Sequence, residues 1–159
     1  METMTTMIQR GSCLMKSEFY LRFENGMPKG TAQQKGERIK YRKIGAKMVP
    51  YIDHYRKPEV QAQRSQLIYM MKKYKPKTPS NRPIRLLVCL YFDIKQPKKL
   101  WGTYKTTRPD CDNYVKEIKD CMTEVGFWED DAQVVDLHVI KRFAEKATIF
   151  IQMEELSDE

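Results

Sequence analysis

The stretch Ile84-Arg-Leu-Leu-Val-Cys-Leu-Tyr-Phe92 decides the fold of this 159-residue chain. Apolar residues occupy every second position from Ile84 to Phe92. In a strand, side chains two apart point to the same face, so this strict alternation predicts a strand with one face in a core. The rest of the fold can be placed around it.

Periodicity predicts six further elements around this strand. They are a strand at 19–23, a basic hairpin or irregular arm at 38–52, a helix from Pro58 to about Lys75, a helix at 112–125, and strands at 133–141 and 147–153. This order predicts one α+β domain, with a mixed sheet of four to five strands and two helices packed on one face. We place the domain at 16–154. A Met-rich extension, ordered or disordered, precedes it at 1–15, and an acidic tail follows at 155–159.

Composition excludes several classes of protein. A length of 159 residues suits one domain. No apolar run reaches the roughly 18 residues of a membrane helix, and the first residues lack the apolar core of a signal peptide. The four cysteines form no CxxC pair, and seven glycines are few for a nucleotide cradle. We therefore expect a cytoplasmic protein with free thiols, no membrane partner and no nucleotide cofactor.

Positive charge is concentrated between Lys35 and Lys77. Thirteen Lys or Arg residues stand there against three acidic ones, a local charge of +10 in a chain of net charge +8. Five tyrosines are interleaved with them. This combination is typical of a surface that binds a phosphate backbone, with Lys40, Arg42 and Lys43 as candidate contacts. The alternative is a solvated face whose tyrosines lie over the core.

The stretch Arg108-Pro-Asp-Cys-Asp-Asn113 places Asp110 and Asp112 at the predicted start of the second helix. One aspartate is enough to cap a helix, so a second exceeds that need. A calcium loop is excluded, because Val115 stands where such a loop requires glycine. Paired carboxylates suit Mg²⁺ in phosphodiester cleavage. Lys116 shares the helix face of Asp112, either to neutralise charge on a phosphate or as a surface ion pair with Asp112 or Asp120.

A second acidic pair, Asp130-Asp131, follows the predicted helix. The helix would be about 21 Å long, which carries this pair away from Asp110 and Asp112. Two solutions remain open. Either the turn at 126–131 folds back along the helix, or a neighbouring chain contributes its own carboxylates.

Two motifs stand out together, Asp110-Cys-Asp112-Asn113-x-x-Lys116 and Gly126-Phe127-Trp128-x-Asp130-Asp131-x-Gln133-Val134-Val135. Their combination resembles the RusA family of Holliday junction resolvases, the crossover junction endodeoxyribonucleases. The match runs from about Arg108 to Lys141, and the N-terminal half matches only loosely. The resemblance implies a homodimer that cuts four-way DNA junctions by paired symmetric incisions with Mg²⁺, in recombination and repair, often encoded by prophages.

The same resemblance assigns residues. It implies that Asp110, Asp112 and Asp131 are the catalytic, metal-binding carboxylates and that Lys116 is the catalytic lysine. Some members carry a basic residue directly before the first aspartate. Here that position is Pro109, and Arg108 stands one residue earlier. We group Arg108 and Asn113 with the candidate DNA contacts.

The predicted function is therefore Mg²⁺-dependent resolution of four-way DNA junctions. Two alternatives remain. One is a nuclease of the same chemistry that acts on flaps or replication forks. The other is a DNA-binding module with a degenerate metal site and no turnover.

Overall fold

A computed structural model describes residues 14–28 and 35–157 of the chain. Most of the predicted extension, residues 1–13, and the last two residues of the predicted tail lie outside the described residues. The elements are β1 (Lys16–Phe23), β2 (Lys35–Ile44), β3 (Lys47–Arg56), α1 (Pro58–Met71), β4 (Ile84–Asp93), α2 (Cys111–Val125), β5 (Val134–Ala144) and β6 (Ala147–Glu155). Every predicted helix and strand is present, and the basic arm is a hairpin of β2 and β3.

The main sheet has four strands in the order β1-β6-β4-β5. The β4–β5 pair is parallel, whereas β6 runs antiparallel to both β1 and β4. A parallel pair needs a crossover connection, and α2 provides it. The hairpin β2–β3 forms a separate two-stranded sheet. The predicted α+β fold with a mixed sheet is confirmed.

One face of the sheet forms the core. The alternating positions of β4 predicted to be buried are indeed buried, from Ile84 to Phe92, and those of β6 pack beside them. Both helices cover this face, with Leu67 and Met71 of α1 and Ile118 of α2 in the same cluster. The opposite face of β4 stays partly exposed. This one-sided layering leaves the start of α2 at the surface.

A buried ion pair joins the two helices. Arg64 of α1 donates hydrogen bonds to Glu117 (2.8 Å) and Glu124 (2.6 Å) of α2. Burial alone would lower the pKa of Arg64, but these two carboxylates raise it above its ordinary value. Removing one partner of a buried pair leaves an uncompensated charge, which is strongly destabilising. Arg64 therefore fixes how α2 lies against α1.

The first residue of the predicted acidic tail is part of the sheet. We assigned Glu155 to the acidic tail from the sequence, but it is the last residue of β6 and it is buried. Its carboxylate accepts hydrogen bonds from the Ser80 hydroxyl and from the backbone N–H of Met15. These contacts explain why an acidic residue is ordered there. Among the described residues, no helix combines the length and apolarity needed to cross a bilayer.

Candidate active site and DNA-binding surface

Asp110 stands at the N-cap of α2, with an extended backbone (φ −74°, ψ 147°). Its side chain makes no capping hydrogen bond to any described residue, so the carboxylate is not used to close the helix. Asp112 lies in the first turn, where the helix dipole favours negative charge. Side-chain capping therefore does not explain Asp110, whereas the helix dipole favours Asp112 at its position.

The loop before Asp110 is held by a lysine from β5. The Nζ atom of Lys141 donates hydrogen bonds to the carbonyl oxygens of Thr107 (2.9 Å) and Pro109 (2.7 Å). Lys141 was not predicted from sequence, because only the folded sheet brings β5 against this loop. Its contacts make it a positioning residue for Asp110.

Asp110 lines a cavity of about 780 Å³. Arg108 and Asn113 line the same cavity, together with Asp93 from β4 and Lys105. Burial and the nearby Lys141 lower the pKa of Lys105. Asp93 and Lys105 were not predicted from sequence, since neither lies in a recognisable motif.

Asp112 lines a second cavity, of about 510 Å³. Lys116, Lys119 and Asp131 line it too, and Leu137 is part of its apolar lining. The three α2 residues are spaced i, i+4 and i+7, which places them on one helix face. Among the described residues, Lys116 forms no ion pair with Asp112 or Asp120, whereas Lys119 lies 3.4 Å from Asp131. Lys119 was not predicted, although its spacing from Asp112 could have indicated it.

Asp130 and Asp131 have different surroundings. Asp130 caps the 3-10 turn Asp131–Gln133, where its Oδ1 accepts a hydrogen bond from the N–H of Ala132 (2.8 Å). The Gln133 side chain completes this capping box and also donates to the carbonyl oxygens of Ser80 and Arg82. Asp131 takes no part in the capping, and its carboxylate faces Lys119.

The turn after α2 explains how Asp131 returns to the helix. Gly126 ends α2 in the left-handed region (φ +94°), which favours glycine because it has no side chain. Phe127 and Trp128 are then buried, and the Trp128 indole donates to the Thr123 hydroxyl (2.7 Å). The chain folds back within one subunit, so Asp112 and Asp131 share a cavity without a neighbouring chain.

The structure does not bring all three predicted carboxylates together. Asp110 lines one cavity, while Asp112 and Asp131 line the other. Across the described residues, no group of three His, Cys, Asp or Glu side chains is close enough to bind one metal ion. The first turn of α2 stands between the two cavities.

The β2–β3 hairpin carries the predicted DNA contacts on two faces. The strand register puts Lys40 and Arg42 on one face, with Arg38, and Lys43 on the other. Asp53 accepts a hydrogen bond from Lys40 (2.8 Å) and one from Arg38 (2.7 Å). These two bonds, that of Lys40 first, lower the pKa of Asp53.

Tyrosines support the cations on this basic face. The guanidinium of Arg38 lies 4.9 Å from the ring centre of Tyr55, and that of Arg42 lies 5.8 Å from the ring centre of Tyr51. Gly36 lies opposite Tyr55 in the register, and a Cβ atom there would stand 2.6 Å from the ring. The ring therefore lies across the glycine, beside the cation.

Comparison with known proteins identifies the family of this chain. The family model described as endodeoxyribonuclease RusA matches residues 25–154, most of the chain. The chain belongs to the RusA family. The predicted resemblance is thereby confirmed, and it extends well beyond the segment 108–141.

Relatives support this membership. The "Crossover junction endodeoxyribonuclease rusA" of Lactococcus phage r1t is 37% identical over 144 residues, 89% of this chain and 100% of the relative. The "Uncharacterized protein YqaN" of Bacillus subtilis strain 168 is 30% identical over 65% of this chain and 80% of its own length. The "Crossover junction endodeoxyribonuclease RusA" of Escherichia coli K12 is 56% identical over 34 residues, 21% of this chain and 28% of its own.

Membership of the RusA family indicates a divalent metal requirement. Carboxylate oxygens are the hard ligands that Mg²⁺ prefers, and Mg²⁺ is commonly held by one or two carboxylates together with phosphate and water. The cavity shared by Asp112 and Asp131 provides two such carboxylates and lies open to solvent. The donor chemistry thus fits a divalent ion in this cavity, with Asp110 across the first turn of α2.

Proposed function

We propose that this protein resolves four-way DNA junctions as a Mg²⁺-dependent endodeoxyribonuclease of the RusA family. The proposal is supported above all by the second cavity, where Asp112 and Lys116 of α2 face the same space as Asp131. Asp130 takes the capping role in the following turn, which leaves the Asp131 carboxylate available for chemistry. The name of the phage relative agrees with this activity.

The carboxylates and lysines have separate roles in this proposal. Asp112 and Asp131 would hold Mg²⁺ in the cavity that they share, and Asp110 would act from the adjacent cavity across the first turn of α2. When bound, Mg²⁺ supplies positive charge to the scissile phosphate and lowers the pKa of a coordinated water. Lys116 has no carboxylate partner among the described residues, so its ammonium group is available to a phosphate oxygen. Lys119 balances the charge of Asp131 in the free protein.

DNA outside the cut is held by the basic surfaces. Lys40, Arg42 and Lys43 of the hairpin contact phosphates, as do the exposed cations of the segment 35–77. Arg108 and Asn113, at the rim of the first cavity, contact the strand close to Asp110. Phosphate contacts fix the position of the DNA without reading its sequence.

The decisive experiment is an incision assay on a labelled synthetic four-way junction, with and without Mg²⁺. We expect two symmetric incisions with Mg²⁺ and none with EDTA. Asp112→Asn should abolish incision and retain junction binding, because it removes a metal ligand and a negative charge. Asp136→Asn is the matched control, since Asp136 pairs with Arg85 away from both cavities and should leave incision unchanged.

Other substrates separate the alternatives. Flaps and forks of the same sequence should be cut at least about tenfold more slowly than the junction. Faster cleavage of flaps or forks would mean that one of these branched DNAs, and not the four-way junction, is the substrate. Binding without incision of any substrate would indicate a DNA-binding module.

We also propose that the active form is a homodimer. A four-way junction has two equivalent strands to cut, which a two-fold dimer with one site per subunit matches. Sedimentation at micromolar protein should show a dimer, and a supercoiled cruciform plasmid should be linearised in one binding event. A monomer that yields only nicked circles would contradict this assembly.

A further inference from the structure

The face of the β2–β3 hairpin opposite its basic face is apolar and exposed. In the register, Ile39 lies across from Ile52, Tyr41 across from Pro50, and Met48 across from Lys43. Ile39 is 68% exposed, Tyr41 62%, and Met48 and Ile52 61% each. We call Ile39, Tyr41, Met48, Pro50 and Ile52 the apolar hairpin face.

Nothing in the described part of the chain covers this face. The hairpin is a sheet of its own, separate from the four-stranded sheet. A two-stranded hairpin is only marginally stable alone, and contiguous exposed apolar patches usually mark a binding surface. Within the described residues, the apolar hairpin face is therefore available to a partner.

The rim of the apolar hairpin face indicates the chemistry of that partner. Lys35, Lys43 and Arg56 lie on the same side of the hairpin as the apolar residues. The acidic residue on this side, Glu37, stands 3.4 Å from His54. Two copies meeting through this face would bring cations against cations, which disfavours self-association. The complementary partner combines negative charge with flat apolar surfaces.

Branched DNA has both properties. Base pairs at a branch point can expose their stacking faces, whereas those inside a linear duplex are covered by neighbours. Proteins that kink DNA insert apolar side chains between base steps, with cations on the adjacent phosphates. The hairpin has this arrangement, with its apolar residues on one face and Arg38, Lys40 and Arg42 on the other.

We propose that the apolar hairpin face stacks against the base pairs that flank the branch point, while the basic face holds the adjacent backbone. This inference rests on the proposed function, because it requires a branched substrate. It makes the hairpin the element that distinguishes a junction from a linear duplex, separately from the carboxylates that cut.

The test uses the full-length double variant Ile39→Thr/Ile52→Thr. Threonine keeps the β-branched shape that strands favour, and both positions are exposed, so the fold should be retained. The DNA is a four-way junction with 2-aminopurine beside the branch point, whose fluorescence rises when a base unstacks. Measurements are made in EDTA, so that no incision occurs.

With the native protein we expect a fluorescence rise on binding, and a preference for the junction over a linear duplex of equal length. The double variant should lose most of the rise, and its preference should fall by about tenfold, with duplex affinity and its salt dependence unchanged. The contrasting variant Lys40→Ala/Arg42→Ala should weaken binding to both DNAs while keeping the fluorescence rise at saturation.

Two results would overturn the proposal. One is a double variant with native fluorescence and native junction preference. The other is a double variant that becomes monomeric in sedimentation while the native protein is dimeric, which would make the face a subunit interface. Failure of the proposed function would give a different result. Native protein would then unstack the junction in EDTA but would not cut it with Mg²⁺, which contradicts the nuclease activity and leaves the role of the hairpin intact.

Discussion

The Nζ atom of Lys119 lies 3.4 Å from Oδ2 of Asp131, which joins the turn after α2 to the helix face that carries Asp112 and Lys116. The Asp131 side chain in this pair is 43% exposed, and partly exposed ion pairs contribute little to stability. The pair can therefore separate when a phosphate or a cation enters the cavity. Each charged group around the cavity then has a role that substitution can test.

The neighbouring residues Asp130 and Asp131 should give opposite phenotypes. Asp130→Ala removes a cap and should lower the free energy of unfolding by about 1 kcal/mol, with little change in incision rate. Asp131→Ala should leave the melting temperature nearly unchanged and reduce the single-turnover rate about a hundredfold or more. Thermal denaturation and single-turnover incision measure both. Equal losses of activity in the two variants would contradict the division of roles.

Lys116→Ala should lower the single-turnover incision rate by more than about tenfold, because it removes positive charge from the phosphate site. Its melting temperature should hardly change, since Lys116 has no ion-pair partner among the described residues. Lys146→Ala, in the exposed turn between β5 and β6, is the charge-matched control. If both variants cut at the native rate, Lys116 is an ordinary surface lysine.

Lys141→Met should reduce the maximal incision rate about tenfold while junction affinity changes less than about twofold. The substitution removes both hydrogen bonds to the loop before Asp110 and keeps most of the apolar chain. Lys141→Arg should recover part of the rate, because a guanidinium group can donate to the same carbonyl oxygens. A variant that loses affinity and rate together, without rescue by arginine, would assign Lys141 to DNA binding instead.

Neutralising Lys40, Arg42 and Lys43 together should weaken binding to every DNA shape. The slope of log affinity against log salt should fall by about 0.9 for each phosphate that the variant no longer neutralises. Lys40 should contribute least of the three, since Asp53 already balances it in the free protein. Lys16→Ala, on the edge strand β1, is the control. An unchanged salt slope in the triple variant would mean that the hairpin faces solvent.

Much of the fold follows from local pattern. Alternation from Ile84 to Phe92 predicts β4, Pro58 predicts the start of α1, and Gly126 predicts the end of α2, and all three agree with the structure. These signals are local in the sequence, because periodicity and capping depend on the backbone and side chains of residues a few positions away. The two carboxylate motifs can likewise be recognised without the structure, because each consists of particular residue types at a fixed spacing.

The sequence by itself determined the elements, the excess of positive charge and the family, because these lie in short stretches of chain. Only the tertiary structure decided that Lys141 holds the loop before Asp110, that Lys119 faces Asp131, and that Asp110 and Asp112 line different cavities. It likewise divided the hairpin cations between two faces through the register of β2 with β3. Such contacts join residues far apart in the chain, so they depend on strand order, on register and on the packing of α2 against the sheet, which no local pattern encodes.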